Sequence, residues 1–200
     1  MLKKNRLILN LNSHIKETIQ CKNKLFQDLE KIIKISSIIK KKIDEKNKIF
    51  VYGNGGSFSD AMHFSAELIS TYKIKKRKPL PVINLSSNLS SLTAWSNDFN
   101  FNTYLARELE ALSSKDDLLI LYSTSGGNIK KKQSLNLINV AKFCKKKKIK
   151  IIAFLGNKGG ELIKYADISY VVNSNNTPVI QETHHLINHL ISEILDTNYS

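Results

Sequence analysis

Residues 48–57 read KIFVYGNGGS, an uninterrupted apolar run followed at once by a glycine-rich turn. Strands that are apolar throughout are typical of a sheet covered by helices on both sides, because both faces of each strand must then be buried. Four further runs share this character: Pro81–Leu85, Leu118–Tyr122, Ile149–Leu155 and Ile168–Val172. Together with Lys48–Tyr52 they predict five strands.

Helical patterns lie between these runs, at about 57–72, 89–94 with 103–112, 128–146, 160–165 and 180–195. The alternation of strand and helix predicts a parallel sheet with right-handed crossovers, that is, an open α/β sandwich. From about 15 to 47, apolar residues recur at helical spacing with charged residues between them, which predicts one or two amphipathic helices outside the sheet. We therefore divide the chain into an N-terminal helical extension, 1–47, and an α/β domain, 48–200.

The composition restricts the class of protein. The 200 residues are 42% hydrophobic, enough for one core without metals or disulfides. Cys21 and Cys144 stand far apart and outside any CxxC pattern, so neither a disulfide framework nor a cysteine zinc site is expected. The apolar stretch Leu7–Leu11 is interrupted and too short for a signal peptide, and no run reaches membrane-spanning length. We expect a cytoplasmic protein with no membrane partner.

The formal charge of +14 raises the alternative of nucleic-acid binding, since clusters such as Lys73–Lys78 and Lys145–Lys148 could neutralise phosphates. However, no recognition motif with interleaved aromatic residues accompanies them, and an excess of Lys with Ile, Asn and Ser is what a low-GC coding bias produces. We therefore expect no nucleic-acid partner and assign the positive field to an anionic small substrate. Tight, salt-dependent binding to any duplex would support the alternative.

The first candidate loop, residues 53–57, follows a predicted strand and precedes a predicted helix. Its glycines let backbone N–H groups approach a ligand, and the helix start favours negative charge. A nicotinamide-binding fingerprint would need a glycine at Phe58 and an acidic residue where Lys73–Lys78 stands, and no Gly-Lys-Ser/Thr follows for a P-loop. Two interpretations of this loop remain: a binding site for a phosphorylated ligand, or a tight turn that binds no ligand.

The second candidate loop reads STSGGN at residues 123–128 and again ends a predicted strand. We expect it to open the helix of 128–146, so that three hydroxyls and the free N–H groups of the helix start surround a phosphate. The alternative is an ordinary helix start capped by Ser or Thr.

Two polar stripes occur on otherwise apolar helical patterns. His63 and Glu67 are four residues apart, and Gln181, His185 and His189 recur at the same spacing, with His184 adjacent. Inward-facing histidines and carboxylates must pair or bind metal to offset burial, so we expect both stripes to face one pocket. Histidine with carboxylate at this spacing also suits zinc.

At these residues the chain resembles the phosphoheptose isomerases, which have the sugar-isomerase (SIS) fold. The resemblance runs from about Ile49 to Leu195. Its motifs occur in the family's order: Gly53-Asn54-Gly55-Gly56-Ser57, Asp60-Ala61-Met62-His63-Phe64 with Glu67-Leu68, Asn97-Asp98-Phe99, Ser123-Thr124-Ser125-Gly126, and Gln181-Glu182 with His189. The resemblance implies a three-layer, flavodoxin-like α/β sandwich with a five-stranded parallel sheet, so that 48–200 is the SIS domain. It also implies a homotetramer built with the N-terminal helices, with active sites shared between subunits.

The activity that the resemblance implies is isomerisation of sedoheptulose 7-phosphate to D-glycero-D-manno-heptose 7-phosphate. Glu67 would remove a proton from carbon and His189 would act as acid and base at oxygen, through an enediol, since the interchange moves one proton between carbons and one between oxygens. The implied substrate-binding residues are Asn54, Gly55, Gly56, Ser57, Glu67, Asn97, Asp98, Ser123, Thr124, Ser125, Asn128 and Gln181. One zinc ion per subunit would sit on His63, Glu67, Gln181 and His189.

The chain departs from the family pattern at three places. Thr71 stands where these isomerases usually have an arginine near the sugar, Gly127-Asn128 replaces an Asn-Ser pair, and His185 adds an imidazole beside the site. These changes leave the reaction type intact and leave a related sugar phosphate open as substrate. A non-catalytic SIS protein that binds a sugar phosphate or a partner protein is the second hypothesis, but relatives of that kind lack the acid–base pair.

Overall fold

The computed structural model describes residues 2–200, with side chains from residue 4 onward. The helices are α1 Leu2–Gln27, α2 Leu29–Asp44, α3 Gly56–Ile69, α4 Leu89–Asp98, α5 Phe101–Leu112, α6 Leu135–Lys147 and α7 Thr177–Tyr199. The strands are β1 Ile49–Gly53, β2 Val82–Asn84, β3 Leu118–Ser123, β4 Lys150–Gly156 and β5 Ile168–Val172. A single 3-10 turn occupies Leu162–Lys164.

All five strands pair in parallel, in the order β2-β1-β3-β4-β5. The prediction of a five-stranded parallel sheet is confirmed, with strand bounds within two residues of those expected. β1 and β3 end side by side, because Gly53 pairs with Tyr122. The chain leaves these two strands toward opposite edges of the sheet, so their loops meet in the crevice where α/β folds bind ligands.

Helices cover both faces of the sheet, as a three-layer sandwich requires. One core joins the sheet to residues of α2, α3 and α7, and the other joins it to α5 and α6. The buried stripe of α2 (Ile32, Ile35, Ile39 and Ile43) belongs to the first core. The predicted extension thus shares a core with the sheet. Its division from the domain, as 1–47 and 48–200, stays a prediction.

The N-terminal helices form as the apolar spacing predicts, but α1 begins at Leu2, well before the expected start near residue 15. The early part of α1 leaves apolar side chains open to solvent, among them Leu7, Leu9 and Leu11. Among the described residues, no helix combines the length with the apolar character that a bilayer crossing requires.

The expectation that residues 123–128 open a helix is wrong, since α6 begins seven residues later, at Leu135. Gly126 and Gly127 adopt φ values of 68° and 76°, which turn the chain away from helical geometry. Asn128 and Gln133 then exchange backbone hydrogen bonds of 3.0 and 2.9 Å and close a small hairpin over residues 128–133. Three consecutive lysines occupy its tip. Apolar periodicity resumes only after this hairpin.

Candidate active site

The loop after β1 is shaped by Gly55 and by a pair of amides. Gly55 adopts φ 56° and ψ −124° at the start of α3, a conformation that strongly favours glycine. Asn54 and Asn136 donate to each other's side-chain oxygens, at 2.9 and 2.8 Å. Since Asn136 is buried on α6, this reciprocal pair ties the first loop to the helix that follows the second loop.

The first loop also contacts the start of the last helix. A β-carbon at Gly56 would overlap the side-chain amide of Gln181, so that amide lies directly over the glycine. Gln181 also lines a cavity of about 410 Å³ together with Asp60, His185 and Lys22 of α1. The absence of a side chain at Gly56 therefore lets α7 approach the first loop.

Two serine hydroxyls of the loop after β3 are held in place, because their oxygens accept hydrogen bonds from backbone N–H groups. Ser123 Oγ accepts from the N–H of Gly126 at 3.0 Å, and Ser125 Oγ accepts from that of Gly127 at 3.2 Å. Each serine keeps its own O–H to donate to a ligand oxygen. The backbone carbonyls of Gly126 and Gly127 accept hydrogen bonds from the N–H groups of Leu162 and Glu161, respectively. These contacts fix the conformation of the turn.

Positive charge lies beside this second loop. Ser125 and Asn128 line a cavity of about 240 Å³ with Lys131 of the hairpin and Lys158 of the loop after β4. Ser134 follows the hairpin as the N-cap of α6, and its side chain makes no capping hydrogen bond. Two lysines therefore adjoin Ser125, one of the hydroxyls that the sequence singled out, which suits a phosphate.

The two polar stripes meet, as expected. The Nε2 atoms of His63 and His189 lie 3.1 Å apart, and Glu67 Oε1 lies 3.0 Å from the same His63 nitrogen. His185 lies beside them, with its ring 4.3 Å from that of His63 and 4.6 Å from that of His189, centroid to centroid. The carboxylate and the imidazole assigned to catalysis therefore flank one shared nitrogen, although they are more than 120 residues apart in sequence.

Buried polar contacts set the rotation of α7 that presents these histidines. Asn188 accepts from the Tyr122 hydroxyl at 2.7 Å and donates to the backbone carbonyl of Asp60 at 3.0 Å. This network joins β3, α3 and α7 in the core. On the open side, the ring of Tyr72 stacks on His189 with 5.6 Å between centroids.

A buried ion pair fixes the carboxyl end of α3, just beyond Glu67. Arg77 donates to the carboxylate of Asp196 and to the backbone carbonyls of Glu67, Leu68 and Lys78. Burial alone would raise the pKa of Asp196, but hydrogen bonds from the N–H groups of Ile74 and Lys73, and from Arg77, hold the pKa below its usual value. The segment that looked in sequence like a run of surface cations thus contains a core arginine.

Two buried titratable groups flank the histidine cluster. Burial raises the pKa of the Asp60 carboxyl to about 6, and its Oδ2 has no hydrogen-bond partner among the residues that the structure describes. Burial lowers the pKa of His184 to about 4, since the ring packs against Tyr122 and Phe154. Its Nε2 lies 3.3 Å from the carbonyl oxygen of Leu155. His184 therefore faces the sheet, and His185 is the histidine that faces the cluster.

His184 should make the protein sensitive to acid. Because its native pKa is lowered, the unfolded chain takes up a proton below pH 6.5 that the native state refuses until about pH 4, so stability falls as the pH drops through this window. Replacing His184→Leu should remove about 2.5 kcal/mol of the stability difference between pH 7 and pH 4.5. Urea denaturation of both proteins at the two pH values measures this. The raised pKa of Asp60 changes stability with pH in the opposite direction, but Asp60 is present in both proteins, so its contribution cancels. If the stability of the two proteins changes equally with pH, the assignment to His184 is contradicted.

The cluster fits a bound metal ion. Ligand nitrogens of His63, His185 and His189 lie within 4.8 Å of one another, and the Glu67 carboxylate adjoins them. Three imidazoles with a carboxylate form a donor set that zinc commonly takes, and the partial exposure of His63 and His185 leaves a path for entry.

Other expected site residues lie elsewhere. Asn97 and Asp98 are exposed at the end of α4, where Asn97 donates to Asp98 at 2.9 Å. Asp98 lines a different cavity, of about 610 Å³, with Trp95 and Arg107. Glu182 points to α1, where it meets His14 and Thr18. Thr71 is exposed just beyond α3.

Sequence reasoning missed Asn136, Ser134 and Arg77. Asn136 and Ser134 carried a readable signal, because the lysine-rich stretch 129–133 has little apolar periodicity and Ser134 immediately precedes its return. Arg77 carried none, since it stands among four lysines, at 73, 75, 76 and 78, and only tertiary contacts bury it.

Comparison with known proteins agrees with this fold. The family model described as SIS domain matches residues 15–156. A phosphoheptose isomerase from Aliarcobacter butzleri is 43% identical over 171 residues, which cover 86% of this chain and 87% of that protein. The structure of a phosphoheptose isomerase from Francisella tularensis superposes with a TM-score of 0.87 at 30% identity, covering 95% of this chain and 98% of that one. A second, from Neisseria gonorrhoeae, gives 0.84 at 28% identity, covering 96% and 99%. The chain therefore belongs to the SIS-domain family of phosphoheptose isomerases.

Proposed function

We propose that this protein is an aldose–ketose isomerase of a phosphorylated heptose, converting sedoheptulose 7-phosphate to D-glycero-D-manno-heptose 7-phosphate or a closely related pair. The observation that carries the proposal is the meeting of Glu67 and His189, each about 3 Å from one nitrogen of His63. Membership of the phosphoheptose isomerase family supports it independently. A non-catalytic binding protein would have no need of this acid–base pair.

In this scheme the two side chains move two different protons. Glu67 takes the proton from the carbon beside the carbonyl and returns it to the neighbouring carbon, while His189 moves a proton between the two oxygens. The stacking of Tyr72 on His189 limits the rotation of that imidazole. The backbone of Glu67 is held by Arg77, which keeps the carboxylate in place between the two half-reactions.

Zinc is the metal we propose for the cluster, one ion per subunit, on His63, Glu67 and His189 with Gln181 as the fourth implied ligand. When bound, the ion would polarise the substrate carbonyl. A carboxylate that binds metal is a weaker base, so the role of Glu67 as a zinc ligand would oppose its role as the base at carbon.

Substrate binding is proposed at the two loops. Ser123, Thr124 and Ser125 bind the phosphate, aided by the charge of the adjoining lysines, with Asn128 nearby. Asn54 to Ser57 and Gln181 hold the sugar backbone, to which Asn97 and Asp98 are also assigned. Thr71 in place of the family's usual arginine, together with the hairpin after Gly127, leaves the identity of the sugar to experiment.

Assembly is proposed to complete the sites. The apolar side chains that α1 leaves exposed support the use of residues 1–47 in a homotetramer with sites shared between subunits. An isomerase of phosphorylated sugars works where such sugars are made, so we place it in the cytoplasm. Light scattering of the purified protein measures the assembly.

The direct test is conversion of substrate by the purified protein. A panel of five- to seven-carbon ketose phosphates is offered in heavy water, and deuterium uptake at carbon is followed by NMR. We expect uptake and aldose formation with a seven-carbon 7-phosphate. No exchange with any member of the panel, in metal-loaded protein, would reject the enzyme in favour of the binding protein.

The phosphate loop gives a separate prediction. Replacing Ser125→Ala removes a hydroxyl donor to a charged group, an interaction of about 1.5–3 kcal/mol, so KM for the sugar phosphate should rise about 10- to 100-fold with little change in kcat. Ser37→Ala, an exposed serine on α2, is the matched control. A KM equal to that of the wild type would remove Ser125 from the phosphate site.

A further inference from the structure

His185 is the member of the histidine cluster that neither the acid–base scheme nor the implied zinc ligands use. Its ring lies between α3 and α7, 4.3 Å from His63 and 4.6 Å from His189 by centroids. One ring nitrogen lies within 4.8 Å of the ligand nitrogens of both others. Its side chain is 40% exposed, so it is open to an ion from solvent.

The three imidazole nitrogens that lie within 4.8 Å of one another cannot all satisfy each other by hydrogen bonds. A neutral imidazole has one N–H and one lone pair, so a pair of facing nitrogens can share one hydrogen, but a third nitrogen then faces a lone pair or another N–H. A metal ion accepts all three lone pairs at once.

We propose that His185 is a ligand of the metal, so that the centre consists of three imidazoles (His63, His185 and His189) and the carboxylate of Glu67. The inference rests on the proposed metal site and changes its composition. Imidazole nitrogen is a better ligand for zinc than an amide oxygen, so His185 takes the place assigned to Gln181. The amide of Gln181 lies over Gly56, and we assign it to the sugar instead.

Asp60 supports this role from behind the ring. Its Oδ1 lies 3.9 Å from His185 Nδ1, and its Oδ2 is buried without a partner. A carboxylate that accepts a hydrogen bond from the far nitrogen of a metal-bound imidazole fixes the tautomer and makes the ring a stronger ligand, and Asp60 lies on the side of His185 from which it would do so. Asp60 is held in turn by the contact of Asn188 with its backbone.

The test counts ligands and measures affinity without reference to turnover. Metal-free protein is loaded with Zn²⁺, and X-ray absorption at the zinc edge should give three imidazoles in the wild type and two in His185→Leu. Competitive titration against a chelator should show Zn²⁺ affinity lowered at least tenfold in His185→Leu. The matched control is His14→Leu, which removes a histidine of α1 that pairs with Glu182. This variant should bind Zn²⁺ like the wild type.

Two imidazoles in the wild-type spectrum, equal affinity in His185→Leu, or no zinc binding by the wild type would each overturn the proposal. Circular dichroism of the variant checks that it is folded, and His185→Gln repeats the comparison if it is not. These outcomes are distinct from those of the isomerase assay. If the protein binds zinc through three imidazoles but does not exchange deuterium, this inference stands and the proposed function is rejected. If it exchanges deuterium but binds zinc without His185, the proposed function stands and this inference is rejected.

Discussion

Replacing Glu67→Gln should lower the rate of isomerisation by about 10²- to 10⁴-fold, the range that a positioned general base contributes. The amide keeps the size of the side chain but cannot take a proton from carbon. Deuterium uptake from heavy water by bound substrate should fall with the rate, since both depend on the same step. Steady-state kinetics and NMR exchange measure the two.

The control for this variant is Glu193→Gln, an exposed carboxylate on α7 that pairs with Lys73 outside the cluster. It should retain wild-type kinetics. Because Glu67 is also a proposed ligand, metal content must be measured in the same samples. Loss of rate with metal retained identifies Glu67 as the base, whereas loss that follows metal content would make it only a ligand. Full activity in Glu67→Gln would end the catalytic assignment.

Replacing Arg77→Ala should lower the free energy of unfolding by about 3–5 kcal/mol, because it leaves the buried carboxylate of Asp196 without its cation. The carbonyls of Glu67, Leu68 and Lys78 lose their donor as well. That loss is a large part of the about 5–15 kcal/mol typical of a domain. Urea denaturation followed by circular dichroism measures it.

The neighbouring Lys76→Ala is the matched control, since Lys76 is exposed and its loss should change stability by less than about 0.5 kcal/mol. If Arg77→Ala does not fold, Arg77→Lys gives a graded test, because one ammonium cannot reach all of the acceptors that the guanidinium fork serves. A change below 1 kcal/mol in Arg77→Ala would mean that the pair contributes specificity rather than stability.

Local pattern was sufficient to predict much of the molecule. The apolar runs such as Leu118–Tyr122 determined the strands and the covered parallel sheet, because a strand buried on both faces cannot alternate polar residues. The helical spacing of His63 with Glu67, and of His185 with His189, determined that each pair shares a face. Both properties lie within ten residues of sequence.

The start of α6 was predicted wrongly for a physical reason. Ser and Thr before a helix are a common capping signal, and that signal was read at residues 123–128. The positive φ angles of Gly126 and Gly127 and the hairpin closed by Asn128 and Gln133 override it. Those angles are fixed by contacts with the segment 159–162, which no local pattern reveals.

The sequence by itself determined the fold class, the two loops at the sheet's carboxyl edge and the acid–base residue types. Only the tertiary structure decided that the two polar stripes meet at one nitrogen of His63, and that Arg77 is buried. The reason is that the spacing of residues along a helix fixes only the angles between side chains of that same helix. The rotation of α7 against α3 is set by buried polar contacts across more than 60 residues, such as Tyr122 with Asn188.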